Sequence, residues 1–196
     1  AGVRTTQLIG VPEGPAPDSD AVVVALKSRT CATEEAVRDA LASCRWLRAA
    51  GARQIVFKIC STFDSTPRGN IGPVADALAR ELEAPLTVVC PALPENGRTV
   101  YQGHLFVHLQ LLSESGMRQH PLTPMNDSNL VRVLQAQTPR RVGLLPRRQV
   151  AAGAQTLRIE LERLRRDGIA HVVADAIDDQ DLANLAEVCA DLPLLV

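Results

Sequence analysis

The sequence is poor in the features that mark several function classes. Lysine and arginine number 21 against 22 aspartates and glutamates, a formal net charge of −1. No field of one sign gathers nucleic acid or an anionic membrane, so neither is expected as a partner. Aromatic residues are 3% of the chain, too few to build platforms on which bases stack. No apolar run reaches the about 20 residues that cross a bilayer, and no basic-then-apolar leader opens the chain. The five cysteines, Cys31, Cys44, Cys60, Cys90 and Cys189, are odd in number and form no Cys-x-x-Cys. A reduced, cytoplasmic protein accounts for them most simply. Together with the four histidines they show no zinc spacing. Neither Gly-x-x-x-x-Gly-Lys-Ser nor Gly-x-Gly-x-x-Gly occurs, so no standard nucleotide loop is encoded.

What is present is a chain of 196 residues, 46% apolar, able to bury a proper core. Short apolar runs predict strands at 3–11, 21–26, 55–60, 86–90, 142–145, 169–174 and 194–196. Helical spacing predicts helices between them. One runs from a Thr33 cap to Gly51 with Val37, Leu41, Cys44 and Leu47 inward. Another starts at Pro73 with Val74, Leu78 and Leu82 inward. A short one runs through Leu134, capped by Asp127 or Ser128. A long one spans 149–166, with Val150, Ala154, Leu157, Leu161 and Leu164 inward, and the last covers 178–190. Arginines on the outer face of the long helix read as a solvated surface paired with Glu160 and Glu162. Alternating apolar strands and amphipathic helices predict a three-layer α/β fold, a mostly parallel sheet flanked by helices. An irregular hairpin and loop insertion interrupts it at about 91–129.

The richest chemistry falls just after strands, where ligands bind in open α/β sheets. Three clusters are expected to converge on that edge. The first is Ser28 and Arg29. The second is Lys58, Ser61, Thr62, Asp64, Ser65, Thr66, Arg68, Gly69 and Asn70. The third is Glu95, Asn96, Gly97 and Arg98 with Gly103 and His104. Hydroxyls, an amide and guanidinium forks suit a small, oxygen-rich anion. Asp64, the only carboxylate of residues 58–72, is the candidate general base. Gly69 and Gly72 let backbone come close to a ligand. His120, flanked by prolines, reads as a rigid wall that touches substrate. His108 and His171 read as structural. No nucleophile–base pair at a recognisable spacing supports a hydrolase or lyase. The bland alternative is a solvated loop whose Ser, Thr and Asp cap the next helix.

Lys58-Ile-Cys-Ser-Thr-Phe-Asp-Ser-Thr-Pro-Arg-Gly-Asn-Ile-Gly72 resembles the signature of the four-carbon acid sugar kinases. Cys90-Pro-Ala-Leu-Pro-Glu-Asn-Gly-Arg-Thr-Val-Tyr-Gln-Gly-His-Leu-Phe106 is similar to the family's second block, and residues 112–130 to its third. The Cys60-Ser-Thr-Phe63 stretch and the His-Pro-Leu-Thr-Pro-Met block resemble the 3-oxo-tetronate kinase branch. The resemblance implies a two-domain kinase that moves the γ-phosphate of ATP, with magnesium, to the terminal hydroxyl of a 3-oxo sugar acid. Residues 1–196 then form a single sugar-acid-binding N-terminal domain. The family's opening strand, with its Ala-Asp-Asp-Phe-Thr-Gly-Ala turn, and its C-terminal ATP domain are not in this sequence. The chain is therefore expected to be a fragment, inactive alone, and a homodimer is left open. The alternatives are a non-catalytic sugar-acid-binding module and a kinase for threonate or erythronate.

Overall fold

The computed structural model describes residues 2–196. Strands β1 (Thr5–Ile9) and β2 (Ala21–Ala25) lead into helix α1 (Thr33–Ala49). Then come β3 (Ile55–Val56), α2 (Ile71–Glu81) and β4 (Thr87–Val89). Strands β5 (Arg98–Tyr101), β6 (His104–Val107) and β7 (Gln110–Leu111) make an antiparallel insertion. The chain closes with α3 (Leu130–Gln135), β8 (Val142–Leu145), α4 (Arg147–Val150), α5 (Ala154–Arg166), β9 (His171–Ala174), α6 (Asp179–Cys189) and β10 (Leu194–Leu195). The main sheet has the order β3-β10-β4-β9-β8, and every pairing in it is parallel. β1 and β2 pair in parallel as a separate two-stranded sheet. The α/β class with flanking helices and an insertion after β4 is thus as the sequence predicts.

The apolar strands explain why helices cover the sheet. Every residue of β4 and β9 is buried, so these strands have no solvent face and need packing on both sides. Burying one such valine fully is worth about 1.5–3 kcal/mol. α1 packs on α2, and α4, α5 and α6 pack on one another. On α5, Leu157, Leu161 and Leu164 are buried with Val150 just before it, the predicted stripe. Its outer arginines pair as expected: Arg163 with Glu160 and Asp167, and Arg165 and Arg166 with Glu162.

Five local expectations need correction. The run 55–60 is regular over only two residues, because the chain turns back at once through a bridge between Cys60 and Phe63. The helix predicted over 149–166 is two helices, α4 and α5, parted at Gly153 with φ 90°. The buried stripe of α1 is rotated: Ala36, Ala40, Ser43 and Cys44 are buried, while Val37, Leu41 and Leu47 are half-buried. Small residues face α2 because the two helices lie close. Thr33 caps nothing; its hydroxyl donates to Asn70 Oδ1 at 2.9 Å. The cap of α3 is Asn129, whose Oδ1 accepts from the Arg132 amide, while Asp127 accepts from the Asn129 amide.

Candidate functional site

The loop between β3 and α2 is built from residues that rarely share one backbone shape. Phe63 and Asp64 both have positive φ, 62° and 42°, a strained choice for non-glycine residues. The surroundings hold it. The Phe63 ring is buried in the core at 1% exposure. Asp64 is also buried, and its two oxygens are both engaged. Oδ2 accepts from Arg29 Nη1 at 2.6 Å, and Oδ1 accepts from Thr62 Oγ1 at 2.8 Å. Arg29 is half exposed at 54%, so the pair joins a buried carboxylate to a guanidinium that still faces solvent. Backbone strain of this kind gathers at functional sites.

The first two predicted clusters do meet. Besides the Arg29–Asp64 contact, Asn70 Nδ2 donates to the carbonyls of Ser28 (2.8 Å) and Cys31 (3.0 Å). With Thr33 on its Oδ1, every part of the Asn70 amide is used to tie the loop after β2 to the start of α2. Asn70 is 6% exposed, so its visible role is to hold the two loops together. Thr66 Oγ1 accepts from the Arg68 amide at 3.3 Å. The Arg68 side chain is exposed and has no partner among the described residues.

The third cluster is placed differently. Asn96 is exposed, on a short turn, and Arg98 donates to its carbonyl. Gly97 has φ 70°, and a Cβ there would lie 2.3 Å from the His108 ring. Its glycine therefore serves the turn against His108. Gly103 closes the β5–β6 turn, and its amide donates to Asp175 Oδ1 at 2.8 Å. His104 Nδ1 lies 2.8 Å from the Gln102 carbonyl, so it carries the proton, and Nε2 faces the Asn129 amide at 3.5 Å. No hydrogen bond or ion pair among the described residues joins this cluster to Asp64. The segment holding His120 does reach the central loop: Ser65 N donates to Met125 Sδ at 3.3 Å. His120 Nδ1 accepts from the Thr123 amide at 3.1 Å, which leaves the proton on Nε2.

Lys58 and Ser61 line a different feature. They border an apolar trough of about 340 Å³ walled by Val56, Cys90, Cys189 and Val196 among others, which neither Arg29 nor Asp64 nor Arg68 borders. Burial pushes the thiols of Cys90 and Cys189 up to about 11 and about 12, so both stay protonated and unreactive near neutrality. The trough's walls are mostly apolar, with Lys58 and Ser61 as its polar members.

Two residues that organise this edge carried little sequence signal. Asp175, fully buried at the end of β9, accepts from the amides of Gln102, Gly103 and Arg147 at 2.7–3.0 Å. Burial raises its pKa above the ordinary range. A carboxylate directly after an apolar run was the available sign. Gln137, just past α3, meets the loop at Ser65, Thr66 and Gly72; a glutamine at a helix end gives no such sign. No group of three or more histidine, cysteine or acidic side chains among the described residues is placed to hold a metal ion. No described helix is long and apolar enough to cross a membrane.

The family described as the sugar-binding N-terminal domain matches residues 1–196. A 3-oxo-tetronate kinase of Burkholderia multivorans is 57% identical over 196 residues, covering 100% of this chain and 46% of that protein. The chain thus spans about half the length of the curated relatives it matches. Among solved structures, a Salmonella typhimurium LT2 protein described as a putative tRNA synthase superposes with TM-score 0.97 at 48% identity, over 99% of this chain and 46% of its own. A Bordetella bronchiseptica protein, solved with bound citrate as a domain-swapped dimer, gives 0.79 at 28% identity over 100% of this chain and 48% of its own.

Proposed function

The chain belongs to the sugar-binding N-terminal domain family, and from that premise we propose that it is the acid-sugar-holding part of a kinase. The whole protein moves the γ-phosphate of ATP to the terminal hydroxyl of a four-carbon 3-oxo acid. The observation that carries the reading is the Arg29–Asp64 contact of 2.6 Å across the mouth of a strained, buried loop. Arg29 and the exposed Arg68 are the cations offered to the carboxylate, each able to form a bidentate fork. Ser65, Thr66 and Thr62 are the hydroxyls offered to the sugar oxygens, with Ser28 at the edge. The Bordetella protein was solved with citrate, a small hydroxy-acid of the kind proposed here.

Phosphoryl transfer asks the protein mainly for positioning and charge neutralisation. Asp64 holds Arg29 in place before any substrate arrives. For Asp64 to act also as the base, the acceptor hydroxyl must reach a remaining lone pair on one of its oxygens, each of which already accepts one bond, from Thr62 or Arg29. Magnesium accompanies ATP in such transfers, but the donor set of this loop does not fit a metal, since the single carboxylate is already paired. ATP and magnesium are assigned to the rest of the protein. A cytoplasmic setting suits five cysteines that are all free thiols. Self-association of the whole protein, as in the domain-swapped dimer of the Bordetella relative, is expected and is measured by sedimentation.

The test is ATP consumption with 3-oxo-tetronate. The full-length protein is expected to turn over, and residues 1–196 alone are not. Asp64→Asn in the full-length protein then separates the roles. A fall in kcat of about 10²–10⁴ with a KM within several-fold marks a base. A raised KM with kcat spared marks an anchor for Arg29. Absence of turnover by the full-length protein overturns the kinase reading and leaves a sugar-acid-binding module.

A further inference from the structure

Gln137 sits at 9% exposure beside the loop, and all of its amide is in use. Oε1 accepts from the backbone N–H of Gly72 at 2.9 Å. Nε2 donates to the Thr66 carbonyl at 2.7 Å and reaches Ser65 Oγ at 2.8 Å. Amide oxygen and nitrogen are often hard to tell apart, but here the backbone decides. A backbone N–H can only donate, so the atom facing Gly72 is the oxygen. A carbonyl can only accept, so the atom facing Thr66 is the nitrogen. It follows that Gln137 donates to Ser65, and Ser65 is the acceptor in that bond. The hydroxyl proton of Ser65, a residue only 4% exposed, then has no acceptor among the described residues.

The two glycines of the loop obey the same contact. A Cβ on Gly69 would lie 1.8 Å from Ser65 Oγ and 3.1 Å from Gln137 Nε2. One on Gly72 would lie 2.6 Å from Gln137 Cβ and 2.7 Å from its carbonyl oxygen. The backbone around Gly69 and Gly72 is thus closed over the Gln137 amide, where the sequence suggested room for a ligand.

We infer that Gln137 is a positioning residue of the acid-sugar site: it holds Ser65 as its acceptor and so leaves the Ser65 hydroxyl as a donor for an oxygen of the bound acid. This rests on the sugar-acid reading above. A buried donor without an acceptor is costly, and an anionic oxygen is the partner that relieves it best.

The test uses the full-length protein, measuring KM for 3-oxo-tetronate, KM for ATP, kcat and the thermal midpoint. Ser65→Ala removes the donor together with the acceptor of the Gln137 bond, while Gln137 Nε2 keeps the Thr66 carbonyl; KM for the acid is expected to rise about tenfold, the size of one hydrogen bond to a charged group. KM for ATP should hold. Gln137→Glu can still accept from Gly72 but turns an acceptor towards Ser65, so the serine spends its proton on the glutamate. It should raise the acid KM to a similar degree. The double variant should be no worse than the weaker single, because both act through one proton. Multiplicative effects overturn the inference, as does a Gln137→Glu that lowers the midpoint without moving the acid KM. If Gln137→Glu does not fold, Ser65→Ala alone decides, and an unchanged acid KM overturns it. Wild-type turnover is the control: its absence defeats the kinase reading and this inference together, while wild-type turnover with unchanged variants defeats only the inference.

Discussion

The loop after β3 and the loop after β4 leave the same edge of the same sheet, and both are polar in sequence, yet they are held in opposite ways. The first, residues 60–72, is tied by contacts far along the chain: Arg29 on Asp64, Met125 on Ser65 and Gln137 on Gly72, separated by 35, 60 and 65 positions. Its residues 62–65 are all buried. The second, residues 93–98, is tied to its near neighbours. Gly97 N donates to Pro94, Asn96 N to Leu93, and Arg98 to Asn96, while Glu95 and Asn96 stay exposed. Long-range ties fix a loop before its ligand arrives, and such fixing lowers the cost of binding. A locally tied loop keeps its solvent. That difference, more than polar content, separates the candidate site from ordinary surface.

The comparison breaks most completely at Gly72. Gly72→Ala drives a methyl into the backbone and Cβ of Gln137, neither of which can swing aside. A loss of about 3 kcal/mol, at the upper end for overpacking, should appear in a denaturant melt. A glycine lost from a locally tied loop need not reach that size, so a wild-type melt would mean that the first loop is as pliant as the second.

A smaller break is expected at Asp175, which pins the β5–β6 turn through two backbone amides, Gln102 and Gly103, and the start of α4 through a third, Arg147. Asp175→Asn must turn an NH₂ towards at least one of those N–H groups, leaving a buried donor unpaired at a cost of about 1–2 kcal/mol. Amide exchange at Gln102 and Gly103 should quicken more than at Ile71 or Gly72. Equal quickening at both places would show that the hairpin and the central loop open as one unit.

The smallest effect belongs to the exposed pair Asp127–Arg132, five residues apart. Arg132 holds the Asp127 carboxyl below its ordinary range. The folded pKa is therefore lower than the unfolded one, so the contribution is present above about 3.8 and is lost as the pH falls through the lowered value. Asp127→Asn should flatten only that acid limb. Near neutrality it should cost less than about 0.5 kcal/mol, since half of the pair is in solvent.

The sequence carried the fold at the level of element order because local patterns suffice for it. Strand runs such as Val-Val in β4 and β9 and the leucine stripe of α5 state their burial directly. Finer features depended on partners that no local pattern names. The rotation of the α1 stripe follows from small residues meeting α2. The early end of β3 follows from the turn at Phe63 and Asp64, whose positive φ no composition predicts. In the site, Asp64, Arg29 and Arg68 were legible as charged groups after strands. Asn70 was legible as polar, but its use as a tie between loops was not. Gln137 was invisible, because its contact with Gly72 closes across 65 residues.

The measurement that tests the central claim most directly is kcat/KM for 3-oxo-tetronate in the full-length protein carrying Arg68→Lys, set beside Arg163→Lys. Arg68 has an exposed guanidinium with no partner among the described residues, on the loop assigned to the acid. Arg163 is a surface arginine paired with Glu160 on the outer face of α5. A planar fork is not replaced by a point charge, so Arg68→Lys should lower kcat/KM by about tenfold or more, chiefly through KM, while Arg163→Lys stays at the wild-type value. Wild-type kcat/KM in both variants would contradict the assignment of the acid to this loop.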